Sequence, residues 1–208
     1  MPRTLRFCGV ILAAGASARM GADKALLPWP PGEGNPTLLA AACLALAPHT
    51  DAVIVVAGRN AGRLAPLVAA HGAHLVVNPA PERGQFSSLQ VGLRALLARS
   101  GEAAMITPVD SPPPRPATLA RLRDALSPAI ARGVWALAPA HDGRHGHPLL
   151  AAPALIAAFL EAPSDRNASA LLRAHPQRLE YLCVADPLVG AELNTPEQYA
   201  ALARAVRH

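Results

Sequence analysis

Short apolar runs alternate with amphipathic stretches along almost the whole chain. A short run rich in Val, Ile and Leu predicts a buried strand, whereas apolar residues that recur every three or four positions predict a helix. Leu89, Leu93 and Leu96 have the helical spacing. The predicted strands cover residues 5–13, 52–57, 74–77, 103–107, 134–138, 149–151 and 181–185. The predicted helices cover residues 36–46, 61–70, 87–99, 116–126, 153–160, 168–175 and 196–206.

The last predicted helix has a well-defined start. Thr195 is a good N-cap residue, Pro196 suits the first helical position, and Gln198 completes a T-x-x-Q capping box. We therefore expect the helix to begin at Pro196.

This alternation of strands and helices predicts an α/β fold of three layers, with a mostly parallel central sheet and helices on both faces. The 208 residues are enough for one substantial core. The proline-rich stretches at 28–36 and 111–116 are typical of surface loops, and the sequence has no repeat or linker. We expect residues 1–208 to form a single domain.

Composition narrows the choice of ligands. Aromatic residues make up only 3% of the chain, so Ala, Leu and Val must fill the core. The net charge of +5 comes from scattered arginines, which favours anionic ligands but, with so few aromatics for stacking bases, disfavours nucleic acid. Lys24 is the only lysine in the sequence, which suggests that a compact ammonium is required there.

Cys8, Cys43 and Cys183 lie far apart, are odd in number and lack metal-ligand spacing. This usage predicts reduced thiols in a cytoplasmic protein. No apolar run reaches the ~18 residues of a membrane span, so we expect no membrane partner. Residues 7–24 could instead belong to a secretory signal, but cleavage would remove the first strand of a well-patterned sheet.

Polar motifs follow the predicted strands. GASARMGADK comes after the first strand, Asn78 after the third and PVDSP after the fourth, while HDGRHGHP and ELNTP follow later strands. Parallel sheets bind ligands beyond the carboxyl ends of their strands. The shared edge predicts a single site.

The first loop is neither a P-loop nor G-x-G-x-x-G, and reads L-A-A-G-x-S-x-R-M-G-x-x-K. Small residues let backbone N–H groups approach triphosphate oxygens. Arg19 can grip phosphate with two hydrogen bonds while Lys24 adds a point charge. The alternative is that Gly15 and Gly21 serve turn geometry alone and that Arg19 is a solvated surface residue.

The pattern resembles the signature of the MobA-like nucleotidyltransferases, especially their molybdenum cofactor cytidylyltransferase branch. GQFSSLQVGL at 84–93, PVDSP, GHP at 146–148 and ELNTPEQY resemble further motifs of that family. The resemblance implies a Rossmann-like nucleotidyltransferase fold. It also implies Mg²⁺-dependent transfer of CMP from CTP to molybdopterin, with release of pyrophosphate. A molybdenum apo-enzyme is a candidate protein partner.

The resemblance and the chemistry of the loops together nominate site residues. The candidate catalytic residues are Arg19, Lys24 and Asp110. The candidate nucleotide-binding residues are Leu12, Ala13, Ala14, Gly15, Ser17, Arg19, Gly21, Lys24, Asn78 and Ser88. The candidate acceptor-binding residues are Arg144, Gly146 and His147, and the candidate Mg²⁺ ligands are Asp110 and Asn194. Two segments depart from the family pattern. Glu192 stands where many relatives carry Asp, and PVDSP stands in place of G-D-x-P. These departures weaken the prediction of the geometry of the metal site.

Other interpretations remain open at this point. The same loop serves sugar-1-phosphate nucleotidyltransferases, and a non-catalytic carrier of nucleotide or molybdenum cofactor would need similar contacts. Asn194 could simply begin a turn, and Ser88 could cap the following helix. His141, His145 and His147 suggest zinc, but no cysteine or helical i, i+4 pair supports such a site. A hairpin turn with exposed histidines is the stronger alternative.

Overall fold

A computed structural model describes residues 5–15 and 20–206 of the chain. The strands are β1 Phe7–Leu12, β2 Ala52–Ala57, β3 His74–Val77, β4 Ala103–Pro108, β5 Ala136–His141, β6 Arg144–His145, β7 Leu149–Ala151 and β8 Leu179–Cys183. The α-helices are α1 Leu38–Leu46, α2 Ala61–Ala70, α3 Gln85–Leu97, α4 Pro116–Ala131, α5 Pro153–Glu161, α6 Ala168–Ala174 and α7 Pro196–Val206.

All eight strands form one sheet, in the order β3-β2-β1-β4-β7-β5-β6, with β8 paired to β5. Strands β1 to β4 run parallel to one another, and β5 runs parallel to β8. Strand β7 is antiparallel to both β4 and β5, so β5 points the same way as β4. The predicted mostly parallel α/β sheet is confirmed, and the carboxyl ends of its long strands lie at one edge.

The core has two halves, one on each face of the sheet. Successive residues of β1 alternate between them: Ile11 packs with α1, α2 and α4, while Val10 packs with α3 and α5. Val55 and Val56 of β2 alternate in the same way. Because strand side chains point to opposite faces in turn and both faces are covered, β1 and β2 are apolar throughout. The predicted three layers are confirmed.

Most predicted elements exist, but some boundaries differ. Helix α4 continues through Pro128 to Ala131, whereas the prediction ended it at residue 126. A proline inside a helix destabilises it. Leu126 and Ala129 are buried on either side of Pro128, and their packing against the core stabilises this last turn. The hairpin formed by β5 and β6 was considered only as an alternative. Asp142 and Gly143 take φ values of 46° and 75° at its tip, as a two-residue hairpin turn requires.

The predicted capping box of α7 is confirmed. The side-chain oxygen of Gln198 accepts hydrogen bonds from the backbone N–H groups of Asn194 at 2.8 Å and Thr195 at 3.2 Å. In return, the Thr195 hydroxyl accepts from the Gln198 N–H at 3.3 Å. The Tyr199 hydroxyl donates to the Pro28 carbonyl at 2.5 Å. These bonds dock the start of α7 beside the loop that follows Lys24.

Cys8 and Cys43 are buried and Cys183 is exposed, and all three are unbridged. Among the described residues, no helix combines the length and the apolar character needed to cross a membrane.

Candidate active site

A pocket of about 220 Å³ opens at the carboxyl edge of the sheet. Its walls come from the end of β1, the start of α3 and the end of β4. The predicted site residues that line it are Leu12, Ala13, Ala14, Gly15, Lys24, Ser88 and Asp110. The fold therefore brings the loop after β1, the start of α3 and the end of β4 into one pocket.

Lys24 is the buried cation of this pocket. It begins a 3-10 helix, Lys24–Leu26, and is only 7% exposed. Its Nζ donates to Asp110 Oδ2 at 2.9 Å and to Asn194 Oδ1 at 2.8 Å. A single ammonium thus joins the loop after β1, the end of β4 and the start of α7.

Two residues that the sequence interpretation missed hold this lysine in place. The Asp23 side chain caps the 3-10 helix by accepting from the Ala25 N–H at 3.2 Å. Asn60 Nδ2 donates to Asp23 Oδ2 and to the Ala13 carbonyl, both at 3.0 Å. Asn60 follows β2 at the same edge of the sheet, so the rule that singled out Asn78 would also have found it.

Asn194 connects the ammonium to a second carboxylate. Its Nδ2 donates to Glu192 Oε2 at 2.8 Å, while its Oδ1 accepts from Lys24. The amide is therefore oriented with its oxygen towards Lys24 and its NH₂ towards Glu192. The four side chains form a continuous chain in the order Asp110, Lys24, Asn194 and Glu192.

Asn78 lies beneath the pocket. It is 3% exposed, and its Nδ2 donates to Ser87 Oγ and Ser88 Oγ, each at 2.9 Å. Ser88 lines the pocket. Its hydroxyl therefore lies between Asn78 and the pocket.

The GHP motif packs against the segment that leads to Glu192. A Cβ on Gly146 would lie 1.6 Å from the Val189 carbonyl oxygen, so only glycine fits this close approach. The His147 N–H donates to the same carbonyl at 2.9 Å. The structure gives Gly146 a packing role, and its direct contact with an acceptor stays a prediction.

The His147 ring lies within the electrostatic reach of the site. Burial lowers the pKa of His147 below its usual 6.5 and outweighs the raising effects of Asp110, Glu192 and a hydrogen bond to the Ile106 backbone. Among the described residues, Nδ1 of this ring is buried without a hydrogen-bond partner. The imidazole is therefore held neutral beside the carboxylates.

Two larger clefts are lined by other residues of these loops. One, of about 910 Å³, is lined by Gly21, Arg59, Asn60 and Arg63 among others. The other, of about 750 Å³, is lined by His141, Arg144, Glu192 and Gln198 among others. The predicted acceptor residue Arg144 thus lies in a cleft that reaches the Asp110–Glu192 chain.

Ser17 and Arg19 lie outside the described residues, and their roles stay predictions. In the described part of the chain, no group of three His, Cys, Asp or Glu side chains could hold a metal. Two of the three histidines in the alternative zinc interpretation have other partners. His141 Nδ1 lies 2.9 Å from the Val184 carbonyl oxygen, and the His145 ring stacks on Tyr181.

A family model described as the MobA-like NTP transferase domain matches residues 9–179. The chain belongs to this family. It is a nucleotidyltransferase of the MobA type, as the motifs predicted.

Individual relatives agree with this assignment. A protein named molybdenum cofactor guanylyltransferase, from Rhodobacter capsulatus, is 32% identical over 210 residues, which cover 94% of each chain. Rv0371c from Mycobacterium tuberculosis H37Rv is similar in structure, with a TM-score of 0.76 and 26% identity over 96% of this chain and 98% of the other. A complex of Rv0371c with manganese gives a TM-score of 0.71 and 24% identity, over 96% and 99% of the two chains.

The predicted Rossmann-like nucleotidyltransferase fold is confirmed by these likenesses. The curated relative is named a guanylyltransferase, so its name does not support the predicted cytidylyltransferase branch.

Proposed function

We propose that this chain transfers CMP from CTP to the phosphate of a molybdopterin-type acceptor and releases pyrophosphate. The observation that carries the proposal is the meeting of Lys24, Asp110 and Asn194 in a pocket walled by the glycine-bearing loop after β1. A buried ammonium beside a carboxylate suits a triphosphate with its counter-cation, because the ammonium can pair with phosphate oxygens and the carboxylate with the metal ion.

The oxygens in the pocket fit Mg²⁺. Asp110 and Asn194 offer a carboxylate and an amide oxygen, and both already point at one cation, the Lys24 ammonium. One or two carboxylates plus substrate phosphates are the usual protein site for this ion. When bound there, Mg²⁺ would neutralise and polarise the phosphate that is attacked. The similar structure of Rv0371c was determined as a complex with manganese, which is consistent with a divalent metal here.

The chain's own groups position the triphosphate. Small residues at 14–15 leave backbone N–H groups accessible to phosphate oxygens. Helix α3 points its N-terminus at the pocket, and among the described residues no side chain caps it. Its partial positive charge favours an anion. Lys24, with the predicted help of Arg19, would stabilise the charge that builds on the leaving pyrophosphate.

No covalent protein intermediate is required. The acceptor phosphate is anionic at neutral pH and can attack the α-phosphorus in line, so the protein contributes alignment and charge neutralisation. We expect Arg144, which lines the 750 Å³ cleft, to hold the acceptor. The name of the Rhodobacter capsulatus relative supports a molybdenum cofactor acceptor over a sugar 1-phosphate.

The preference for CTP rests on Ala14, because L-A-A-G at residues 12–15 resembles the cytidylyltransferase branch of the family. Ala14 lines both the 220 Å³ pocket and the 910 Å³ cleft. The guanylyltransferase name of the relative favours GTP, which makes GTP the second candidate.

The proposal is tested by incubating the protein with Mg²⁺, molybdopterin and each of the four nucleoside triphosphates in turn, and measuring pyrophosphate release. We expect release with CTP that depends on both metal and acceptor. Release with GTP alone would reassign the nucleotide. Release only when a sugar 1-phosphate replaces molybdopterin would reassign the acceptor, and tight binding without turnover would identify a carrier.

A further inference from the structure

Asn60 joins the segment after β2 to the loop after β1. Its Oδ1 accepts from the Gly58 N–H at 3.1 Å. Since a backbone N–H can only donate, this atom must be the amide oxygen, and the NH₂ must face the other loop. Its two hydrogens go to the Ala13 carbonyl and to Asp23 Oδ2, because Nδ2 lies 3.0 Å from each oxygen. The direction of the amide is therefore fixed, and both of its ends are bonded to the protein.

The two acceptors of this NH₂ lie at opposite ends of the glycine-bearing loop. Ala13 directly follows β1, and its N–H donates to the Val56 carbonyl of β2 at 2.8 Å. Asp23 directly precedes Lys24, the buried cation of the pocket. A single amide thus fastens the start and the end of the loop to the same neighbouring segment. A loop fastened in this way holds Lys24 in place before a ligand binds, which lowers the entropy lost on binding.

Asp23 transmits this restraint to Lys24. Its Oδ2 accepts from Asn60, and its Oδ1 accepts from the Ala25 N–H at 3.2 Å, which caps the 3-10 helix that Lys24 begins. The Asp23 side chain is 9% exposed, so these bonds are largely shielded from water. A hydrogen bond to a carboxylate is stronger than one between neutral groups. The carboxylate therefore couples the amide of Asn60 to the backbone of Lys24.

A second observation shows that the segment after β2 closely approaches this loop. A Cβ on Gly58 would lie 3.0 Å from the Ala14 carbonyl oxygen and 3.1 Å from Pro81 Cβ. A larger residue at this position would have to push the Ala14 backbone away. Glycine at position 58 and the amide at position 60 therefore serve the same contact between the two segments.

We infer that Asn60 is a positioning residue for nucleotide binding, because it holds Asp23 and, through Asp23, sets the position of the Lys24 ammonium that meets the triphosphate. This inference rests on the proposed function and deepens it. Both ends of the Asn60 amide are bonded to the protein, so Asn60 acts through Lys24 and does not itself contact the phosphates.

Exchanging the two side chains tests the bond between them. Asn60→Asp sets one carboxylate against another, and Asp23→Asn sets its new NH₂ group against a donor, either the Asn60 amide or the Ala25 N–H. We expect each single variant to bind CTP about tenfold more weakly in calorimetry, the effect of losing one hydrogen bond to a charged group. GTP replaces CTP in these titrations if the wild-type protein transfers that nucleotide instead.

The double variant restores the bond with donor and acceptor exchanged. In Asp23→Asn with Asn60→Asp, the NH₂ at position 23 donates to the carboxylate at position 60, while an oxygen at each position still accepts from its backbone N–H. We expect triphosphate binding to return to within about threefold of wild type. A role of either side chain that did not depend on this bond would give losses that add in the double variant.

Lys24→Met tests whether the restraint acts through the ammonium. In that background, Asn60→Asp should weaken triphosphate binding by less than about twofold further, because no ammonium is left to misplace. Asn60→Ala, which removes the amide without adding a charge, gives the same comparison if thermal melting shows that Asn60→Asp does not fold.

Asn35→Asp is the matched control. Asn35 is exposed, and its Nδ2 donates to the Pro30 carbonyl at 2.8 Å, so the variant makes the same chemical change away from the site. Triphosphate binding should stay within about twofold of wild type.

The outcomes separate this inference from the proposed function. A wild-type protein that transfers no nucleotide overturns the proposed function. A wild-type protein that transfers nucleotide leaves the function standing, and three results then overturn the inference: unchanged binding after the Asn60 substitution, additive losses in the double variant, or an equal loss in the Lys24→Met background.

Discussion

Lys24 Nζ lies 2.9 Å from the carboxylate oxygen Oδ2 of Asp110, in a pocket where the lysine is 7% exposed. The same ammonium contacts Asn194 at 2.8 Å. In the proposed function, a metal held by Asp110 and Asn194 would compete with this ammonium for the same two oxygens. In the nucleotide-free site, the Lys24 ammonium therefore balances the charge of the Asp110 carboxylate.

The first prediction concerns this shared position. Lys24→Met should tighten Mn²⁺ binding to the nucleotide-free protein, because the ammonium no longer competes for Asp110 and Asn194, and should weaken CTP binding. Titration of the Mn²⁺ electron paramagnetic resonance signal measures the first effect and calorimetry the second. Arg132→Met is the control, since Arg132 pairs with Glu180 on the surface and its loss should change neither. Unchanged or weaker Mn²⁺ binding in Lys24→Met would show that the ammonium does not hold the metal position.

The second prediction concerns Asp110. Asp110→Asn keeps the shape of the side chain but removes the charge that would hold Mg²⁺, so we expect single-turnover nucleotidyl transfer to slow by about 100-fold or more. The exposed Asp124 of α4 offers a matched control, and Asp124→Asn should retain wild-type rates. Equal rates in wild type and Asp110→Asn would remove this residue from the mechanism.

The third prediction concerns the packing of the GHP motif. Gly146→Ala should lower the free energy of unfolding by about 2 kcal/mol or more, because its Cβ would overlap the Val189 carbonyl. Gly62→Ala is the contrasting variant: nothing lies within 4 Å of its Cβ position in α2, so it should stabilise the protein by about 0.5–1 kcal/mol. Urea unfolding measures both. A Gly146→Ala protein as stable as wild type would contradict the close approach.

The fourth prediction concerns the thiols. Burial raises the pKa of Cys43 to about 11, and burial followed by the nearby Asp51 carboxylate raises that of Cys8. At pH 8 only about one Cys43 in a thousand is a thiolate. Iodoacetamide should therefore label exposed Cys183 in the native protein and all three cysteines in urea, as peptide mass spectrometry would show. Rapid native labelling of Cys43 would contradict this burial.

The same shift has a consequence for stability. The thiol of Cys43 loses its proton more readily in the unfolded chain, whose reference pKa is 9.0, than in the fold, where it is about 11. Its contribution is complete below pH 9 and is lost as the pH rises towards 11. Cys43→Ala should flatten the pH dependence of unfolding in that window, as urea titrations at pH 8 and pH 10.5 would test.

The sequence predicts the fold well because apolar periodicity is dictated by burial. β1 and β2 are buried on both faces, so every residue in them is apolar or small, and the pattern is unmistakable. The predictions erred where a local rule was overridden, as when core contacts carried α4 through Pro128.

The sequence predicted those site residues that lie in loops directly after the strands. Parallel sheets bind ligands beyond the carboxyl ends of their strands, and this principle pointed to Lys24, Asp110 and Asn194. The fold brings these three residues into contact. It could not reveal that Gly146 packs against Val189, because that contact joins segments distant in the sequence. Nor could it show that Asn78 donates to Ser88, since the direction of a buried amide depends on the neighbouring backbone.

In the proposed function, Asp110 and Lys24 face a nucleoside triphosphate and its metal in one pocket. This arrangement is tested most directly by anomalous diffraction from crystals grown with Mn²⁺ and a non-hydrolysable CTP analogue. We expect a manganese peak bonded to the Asp110 carboxylate and to a phosphate oxygen, with Lys24 Nζ hydrogen-bonded to the triphosphate. A triphosphate bound elsewhere, with Lys24 still paired to Asp110 and no manganese beside it, would contradict the account.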